Sequence, residues 1–321
     1  TKTAYVYLSA DAERASTLTV ASGYTLYLCL NGNTLSPAGG FTDRAITVSS
    51  GATFVLTDCG EGGAISGFTS STSGGGGVRN NGGTFTMYGG TISGNTANRL
   101  GGGVYNYGGT FTMENVTISG NTATSNGGGV YNSVTLNLSG NTKIIDNTKG
   151  TAGNLTPNNI YLPSGKTVTV AGALTCEDAS IGVTMAYKGD TFTTGGAAYI
   201  GKFVSDDSTY GIAVDGENLA LKFQYTVTFD YGTLGSETKT VLRGETVTPP
   251  TPVFAGKVLV GWYTDSNFTT EFNFSDAITE NTTIYAKFAD YEGDKAALQD
   301  AIDALETAVG NVETALNNKV S

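Results

Sequence analysis

A repeat with a fixed period of 26 residues occupies the middle of this 321-residue chain and restricts the folds that the chain can adopt. A unit of this length cannot bury an apolar face by itself, so such a period predicts a solenoid in which each unit packs on the next. The repeated motifs are GGGVRN or GGGVYN at Gly75, Gly101 and Gly127, GGTFTM at Gly82 and Gly108, and TISGNTA at Thr91 and Thr117.

Short runs of alternating apolar and polar residues indicate that the repeat consists of β-strands. No helical pattern separates these runs, which excludes a parallel sheet packed by helices, so consecutive strands must turn corners and stack on their own copies. Residues 1–221 are therefore predicted to form a parallel β-helix with 26-residue coils. The strands predicted outside the repeat are Leu18–Val20, Thr25–Leu30, Thr53–Leu56, Asn159–Leu162, Lys166–Val170, Ile181–Met185 and Tyr210–Val214.

The alternation also predicts which side chains face the core, and equivalent residues should stack in columns about 4.8 Å apart. The predicted inner columns are Phe85 and Phe111, Met87 and Met113, Val78, Val104 and Val130, and Ile92, Ile118 and Ile144.

Asparagines and glycines recur with the same period and are interpreted as structural. Asparagine tolerates left-handed turns, and stacked amides can hydrogen-bond to one another along the solenoid. The glycine triplets are predicted to form tight corners, because Gly74–Gly77 does not lie between a strand and a helix as a phosphate-binding loop does. The predicted amide ladders are Asn80, Asn106 and Asn132, and Asn95, Asn121 and Asn147.

The outer surface of the repeat is rich in Thr, Ser, Asn and Tyr, which suits contact with a glycan or a protein. Alternatively, the tyrosines only cover the β surface and bind no ligand. Thr84 and Thr86 in one coil, and Thr110 and Thr112 in the next, are predicted to form a threonine array of two ranks. The array is predicted to end there, because Leu136, Asn137 and Leu138 follow Thr135 in the next coil. The candidate ligand-binding residues are Tyr105, Tyr107, Tyr131, Thr84, Thr86, Thr110 and Thr112.

No catalytic residue, metal site or cofactor is predicted. Histidine is absent, which excludes Ser-His-Asp and Cys-His catalysis and His-ligated metals. A glycosidase needs two carboxylates roughly 5–10 Å apart. Between Gly62 and Ile145, however, the only acidic residue is Glu114. The doublets Glu177-Asp178 and Asp206-Asp207 are adjacent in sequence, and neighbours in a strand point to opposite faces.

The net charge of −11 disfavours nucleic acid and anionic membranes as partners. No apolar run approaches the roughly 20 residues of a membrane-spanning helix. The chain lacks a signal peptide and begins within a predicted strand, so we expect a mature or trimmed fragment. For Cys29 and Cys59 we expect buried free thiols, with pairing between adjacent coils as the alternative.

Residues 1–221 resemble the right-handed β-helix of the pectin-lyase-like superfamily, in particular its repetitive, non-enzymatic members on bacterial surfaces. The resemblance rests on LYLCLNGNTLS at Leu26–Ser36, on the repeats, and on NIYLPSGKTVTVAGAL at Asn159–Leu174. It implies a right-handed helix and a scaffold on a cell surface. The superfamily also contains lyases and hydrolases, which carry acidic clusters on one outer face. A carbohydrate-binding or carbohydrate-active protein (a lyase or hydrolase) is therefore the alternative function.

Residues 222–289 resemble the internalin B-repeat, or Listeria–Bacteroides repeat, which implies a small β-grasp-like module. The resemblance is carried by YTVTFDYG, VLRGETVTPPTP, GWYTDSNFTTEFNF and NTTIYAKF, with Tyr231-Gly232 where many members have Asn-Gly-Gly. Trp262 is interpreted as a core anchor rather than a sugar platform.

Residues 290–321 carry a helical pattern with a heptad seam, which predicts a mainly β chain ending in one α-helix. The helix is interpreted as the stump of a stalk that could self-associate, or as a helix docked on its neighbour. Taken together, these features predict a non-catalytic bacterial cell-surface or secreted protein for adhesion or display. The seam residues are Leu298, Ile302, Leu305, Val309, Val312 and Leu316.

Overall fold

The structure, a computed structural model, describes residues 2–72 and 74–320. Within the C-terminal helix it describes the side chains of residues 291, 295 and 298–312. The chain is mainly β, as predicted, and divides into two compact units, Thr1–Phe223 and Gln224–Ser321.

The first unit is a parallel β-solenoid of about 8 turns, which confirms the predicted architecture. Most turns place one short strand on each of three faces. We name these faces after their most regular columns: the tyrosine face, the threonine face and the isoleucine face.

The tyrosine face contains the first strand of the GGGVYN repeat, and Val104 lies in register between Val78 and Val130. Ile181–Met185 extends this face through its second half, since Val183 pairs with Ile160. The strands of this face are Leu18–Val20, Ile46–Ser49, the first parts of Val78–Met87 and Val104–Glu114, Val130–Asn132 and Ile160–Leu162.

The threonine face contains the TFTM motifs, with Phe85 in register between Phe54 and Phe111. Its strands are Lys2–Tyr7, Tyr24–Cys29, Thr53–Thr57, the second parts of Val78–Met87 and Val104–Glu114, Thr135–Gly140, Val168–Leu174 and Thr193–Thr194.

The isoleucine face contains the TIS motifs, and Ile118 lies between Ile92 and Ile144. Its strands are Ala12–Arg14, Thr34–Pro37, Ala64–Ser66, Thr91–Ser93, Thr117–Ser119, Lys143–Ile145, the first part of Ile181–Met185 and Phe203–Ser205. A second, narrow sheet follows it, formed by Thr69–Ser70, Thr96–Ala97, Thr122–Ala123, Thr148–Thr151 and Asn154–Pro157.

Stacking of like residues fills the core between the three faces. The rings of Phe85 and Phe111 lie 4.5 Å apart and nearly parallel, and Phe54 stacks on Phe85 at 5.1 Å. All three rings are fully buried. Offset-stacked aromatic pairs contribute about 0.5–1.5 kcal/mol beyond the area that they bury.

The last strand predicted for the β-helix belongs to a different motif. Tyr210–Asp215 does not stack in parallel but forms an antiparallel hairpin with the first half of Asn218–Asp230. Leu219 and Leu221 of this hairpin are buried in the solenoid core. The strand pattern alone could not reveal this, because alternation has the same period in parallel and antiparallel strands. A 3₁₀ helix, Ala197–Lys202, precedes the hairpin.

Cys29 and Cys59 are joined by a disulfide, with their Cα atoms 6.2 Å apart. The expectation of buried free thiols is therefore wrong for this pair. Consecutive turns bring the two residues together, which is the alternative that the sequence had left open. Cys176 is a buried free thiol, and burial raises its pKa.

The second unit has a mixed β-sheet followed by a helix. The second half of Asn218–Asp230 pairs antiparallel with Ser236–Leu242 and parallel with Thr282–Asp290, which also pairs with Lys257–Tyr263. A 3₁₀ turn, Gly232–Leu234, joins the first two strands.

Trp262 is a core residue of this second unit. It is 9% exposed and its ring lies 5.2 Å from that of Phe229 in an edge-to-face arrangement. Tyr231 and Phe274 complete its aromatic surroundings. This placement agrees with the interpretation of Trp262 as an anchor rather than a sugar platform.

Tyr291–Val320 forms the C-terminal α-helix. Its seam is exposed where its side chains are described: Leu298 is 64% exposed and Leu305 is 67% exposed. The seam is therefore not docked on the module. Docking was one of the two alternatives predicted for this helix. Among the described residues, no helix is both long and apolar enough to cross a membrane.

Candidate functional site: the outer columns of the solenoid

A column of aromatic side chains runs along the outside of the tyrosine face. Strand register places Arg79, Tyr105, Tyr131 and Tyr161 at equivalent positions on successive turns. The rings of Tyr105 and Tyr131 lie 5.3 Å apart, and those of Tyr131 and Tyr161 lie 5.5 Å apart. The guanidinium of Arg79 lies 5.7 Å from the centre of the Tyr105 ring. We call these four residues the tyrosine column.

The exposure of the candidate tyrosines differs widely. Tyr105 is only 8% exposed, whereas Tyr107 is 56% exposed and stacks on Tyr105 with ring centres 5.6 Å apart. Tyr131 and Tyr161 are half-buried. Burial raises the pKa of Tyr105 and of Tyr131, which keeps both hydroxyls neutral. Of the candidate tyrosines, Tyr107 thus offers the most accessible ring, and it stacks on the buried ring of Tyr105.

Tyr161 is a member of the column that the sequence did not predict. It follows Tyr131 by 30 residues rather than 26, because the chain makes the hairpin of Thr148–Thr151 and Asn154–Pro157 between them. The signal available in the sequence was the motif NIYL, whose tyrosine occupies the same place as that of GVYN.

The threonine array on the threonine face is longer than the two predicted ranks. Thr84 and Thr110 lie in one column with four further threonines, and all six are half-buried or exposed. Thr86 and Thr112 belong to a second, mixed column in which Val55 precedes them and Asn137 follows. Thr86 is buried, so it is less accessible than predicted. The six threonines of the first column are Thr3, Thr25, Thr53, Thr84, Thr110 and Thr135.

The first set of asparagines braces the corner between the tyrosine and threonine faces. Asn80 donates through Nδ2 to Oδ1 of Asn106 at 2.9 Å, and Asn106 donates likewise to Asn132 at 2.6 Å. The second Nδ2 proton of Asn106 is donated to the carbonyl oxygen of Thr135, in the adjacent face. All three amides are fully buried. Since a buried amide without partners is costly, this network holds the corner in one register.

The second set forms a longer ladder that ends on a carboxylate. Asn95, Asn121 and Asn147 are linked by Nδ2–Oδ1 hydrogen bonds of 3.0 and 2.9 Å. The chain then continues from Asn147 to Asn159 at 3.0 Å and from Asn159 to Oδ1 of Asp206 at 2.6 Å. Hydrogen bonds polarise one another along such a chain, and an ionised acceptor strengthens the last bond.

Asp206 and Asp207 lie in opposite electrostatic environments. Burial raises the pKa of Asp206, although it accepts hydrogen bonds from the backbone and amide nitrogens of Asn159 and from Thr184. Asp207 pairs with Lys188 and accepts from Thr209, which lowers its pKa to about 2.

Both aspartates line a cleft of about 510 Å³ at the end of the tyrosine column. Three other carboxylates form ion pairs elsewhere on the solenoid: Asp43 pairs with Arg44, Glu177 with Lys143, and Asp178 with Lys202. Further residues that line the cleft are Asn126, Lys149, Asn158, Tyr161, Thr184 and Lys188. In the part of the chain that the structure describes, no three Cys, Asp or Glu side chains are grouped in a way that could hold a metal ion.

The fold and these columns define a class, the repetitive parallel β-solenoids with an appended β module. Residues 225–287 match the family model of the Listeria-Bacteroides repeat domain. Domains of this family are typical of bacterial surface proteins, and the match indicates a bacterial surface repeat protein. No curated protein matches the chain.

Proposed function

We propose that the chain is a non-catalytic scaffold for adhesion or display, located on the bacterial surface or secreted. The observation that supports this most strongly is the tyrosine column with Tyr107 beside it. Tyrosine is enriched in contact surfaces because it combines a large, rigid ring with a polar tip. Tyr107 is exposed on a stack that already holds its neighbours in place, so a ligand would order few side chains on binding.

The ligand of such a surface would be a glycan or a protein on a host or neighbouring cell. Nucleic acid is an unfavourable partner, because the chain carries a net charge of −11 and would be repelled by phosphates. To test the proposal, the whole fluorescently labelled chain is incubated with bacterial and epithelial cells. Saturable binding that excess unlabelled chain displaces supports adhesion, and the absence of saturable binding to every cell type contradicts it.

A carbohydrate-active enzyme is the second candidate, favoured by the cleft that contains Asp206 and Asp207. Two carboxylates with pKa values pushed in opposite directions are an arrangement that acid–base catalysis uses. Against it, both oxygens of Asp206 already accept hydrogen bonds from Asn159, and Oδ2 accepts another from Thr184. Incubation with neutral and uronic-acid polysaccharides distinguishes the two candidates. New reducing ends or unsaturated products that disappear in Asp206→Asn would establish an enzyme.

Self-association through the C-terminal helix is a further part of the proposal. The described seam has Ile302 and Val309 at a positions and Leu298, Leu305 and Val312 at d positions. β-Branched residues at a together with leucine at d, as at Leu298 and Leu305, favour parallel two-stranded coiled coils. A parallel pair places Ala301, at a g position, opposite Glu306 of the second copy, so no like charges meet. The occupant of the exposed seam is thus a second copy of this chain.

A further inference from the structure

The cleft at the end of the tyrosine column has the dimensions of a small-ligand site. Its volume of about 510 Å³ lies within the range of roughly 300–1,000 Å³ typical of ligand pockets. A protein partner, by contrast, covers about 800 Å² of mostly flat surface on each side. The shape therefore favours one or two units of a small or chain-like ligand over a folded protein.

One wall of the cleft is an aromatic ring held in a fixed orientation. Tyr161 lines the cleft, and its ring is stacked on Tyr131 at 5.5 Å with an angle of 24° between the planes. Tyr131 is in turn packed against Tyr105. A ring held in this way loses little conformational freedom when a ligand binds to it.

The polar groups around this ring carry balanced charge. Lys188 forms an ion pair with Asp207 and also lies 4.7 Å from the centre of the Tyr210 ring. Lys149 donates to Oδ1 of Asn126 at 3.4 Å. Lys149 and Lys188 bring two ammonium groups to the cleft, and Asp206 and Asp207 bring two carboxyl groups. A charged ligand would lose its hydration there, and no excess of opposite charge would compensate for that cost.

The lining offers donors and acceptors side by side. Ammonium groups only donate, carboxylates only accept, and the half-buried amide of Asn126 does both. Asn158 is fully buried behind this lining, where it accepts from the backbone nitrogen of Gly127 and donates to Oγ1 of Thr184. A ligand that satisfies such a mixture needs several groups that each donate and accept, and hydroxyls have this property.

We infer that this cleft binds an uncharged sugar unit, with the apolar face of the pyranose against Tyr161 and its hydroxyls toward Lys188, Asp207 and the amide of Asn126. The inference deepens the proposed adhesive function, because it names a neutral glycan as the ligand class. It concerns the end of the tyrosine column at Tyr161 and not Tyr107, which lies beside the column at Tyr105, so each can fail without the other.

Titration calorimetry of the whole chain with neutral hexose and N-acetylhexosamine oligosaccharides, and with sialylated and uronic-acid ones, tests this inference. We expect neutral oligosaccharides to bind, and Tyr161→Ala to weaken binding about tenfold. The matched control is Tyr88→Ala, since Tyr88 is 55% exposed on the solenoid and does not line the cleft.

A second variant tests the cleft without disturbing the aromatic stack. Thr156 is an exposed residue of the rim, and Thr156→Trp should obstruct the cleft and abolish sugar binding at an unchanged melting temperature. The inference is overturned if no neutral oligosaccharide binds, if acidic ones bind more tightly, or if Thr156→Trp binds as well as Tyr88→Ala. A wild-type chain that binds cells but no neutral oligosaccharide would leave the adhesive function standing while the sugar site fails.

Discussion

Asn121 illustrates how a single side chain connects three turns of the solenoid. Its Oδ1 accepts from the backbone and amide nitrogens of Asn95, while its own nitrogens donate to Oδ1 of Asn147 and to the carbonyl of Ile92. Replacement by alanine leaves several of these buried groups without partners. We expect Asn121→Ala to lower the free energy of unfolding by about 2–4 kcal/mol in urea titrations.

The exposed Asn98 provides the control for this prediction. It lies in the loop next to the same ladder, and Asn98→Ala should change the unfolding free energy by less than about 0.5 kcal/mol. Equal effects of the two substitutions would mean that the ladder does not stabilise the solenoid.

The glycine triplets are explained by close approach of backbone atoms. A Cβ atom on Gly76 would lie 2.5 Å from the carbonyl oxygen of Gly102 and 2.6 Å from that of Thr96. Neither oxygen belongs to a side chain that could rotate away. Gly76→Ala should therefore destabilise the solenoid by about 1–3 kcal/mol or more, measured by thermal unfolding.

Gly39 is the matched glycine, because a Cβ atom there would meet nothing within 4 Å. Gly39→Ala should leave the melting temperature unchanged or raise it slightly, since alanine restricts the unfolded chain. A tolerated Gly76→Ala would contradict the tight packing of the corner.

The raised pKa of Asp206 has a consequence for stability that differs from ordinary acid denaturation. Between its unfolded value near 3.8 and its raised folded value, the native state binds more protons than the unfolded state, so this group's contribution to stability decreases as pH rises. Asp207, with a pKa of about 2, contributes in the opposite sense: its stabilisation is present above 3.8 and is lost as pH falls toward 2.

Urea unfolding of the wild-type chain and of Asp206→Asn from pH 3 to pH 7 separates these contributions. The unfolding free energy of the wild type minus that of the variant should fall as pH rises above about 3.8, and then level off. A difference that grows with pH would mean that the hydrogen bonds from Asn159 and Thr184 lower the pKa of Asp206 by more than burial raises it.

At this residue scale, prediction from the sequence extends as far as the 26-residue period does. Asn106 and Asn121 could be placed because their copies stand at a constant offset. The threonine column could not, because its members follow one another at intervals of 22, 28, 31, 26 and 25 residues. Loops at the corners differ in length from turn to turn, so the interval in sequence varies although the strands remain in register. Tyr161 escaped prediction for the same reason, whereas pairing of Cys29 with Cys59 was one of two alternatives that the sequence left open.

At the scale of elements, the C-terminal helix presents an apolar seam to solvent. Ile302 is 42% exposed and Val309 is 52% exposed, which is unfavourable for a helix without a partner. We expect the whole chain to form a dimer at tens of micromolar or above in sedimentation experiments, and Leu305→Glu to be monomeric, because a charge at a d position is buried in the dimer.

Thr307 lies off the seam at an f position, so Thr307→Glu is the matched control and should remain dimeric. A monomeric wild-type chain at every concentration, or a dimer that survives Leu305→Glu, would contradict pairing through this helix. The seam itself was readable from the sequence, but its exposure was not, because heptad spacing fits a docked helix equally well.

At the scale of the whole molecule, the architecture was more predictable than the site. Repetition, alternation and the motif order around Trp262 predict a solenoid, a β module and a helix. The cleft was not predictable, because it combines Tyr161, Lys188 and Asp206, which lie in three separate segments after the repeat, at no constant offset. This cleft lies beyond the 26-residue repeat, where the repeat no longer predicts which residues lie side by side.

In the proposed function, adhesion depends on the accessible tyrosine Tyr107. The most direct measurement compares adhesion to cells of beads coated with the wild-type chain, with Tyr107→Ala or with Tyr187→Ala. Tyr187, 67% exposed and outside the column, is the control. We expect Tyr107→Ala to reduce the number of adherent beads several-fold, whereas Tyr187→Ala should adhere like the wild type and all three chains should melt at the same temperature. Undiminished adhesion of Tyr107→Ala would contradict the claim.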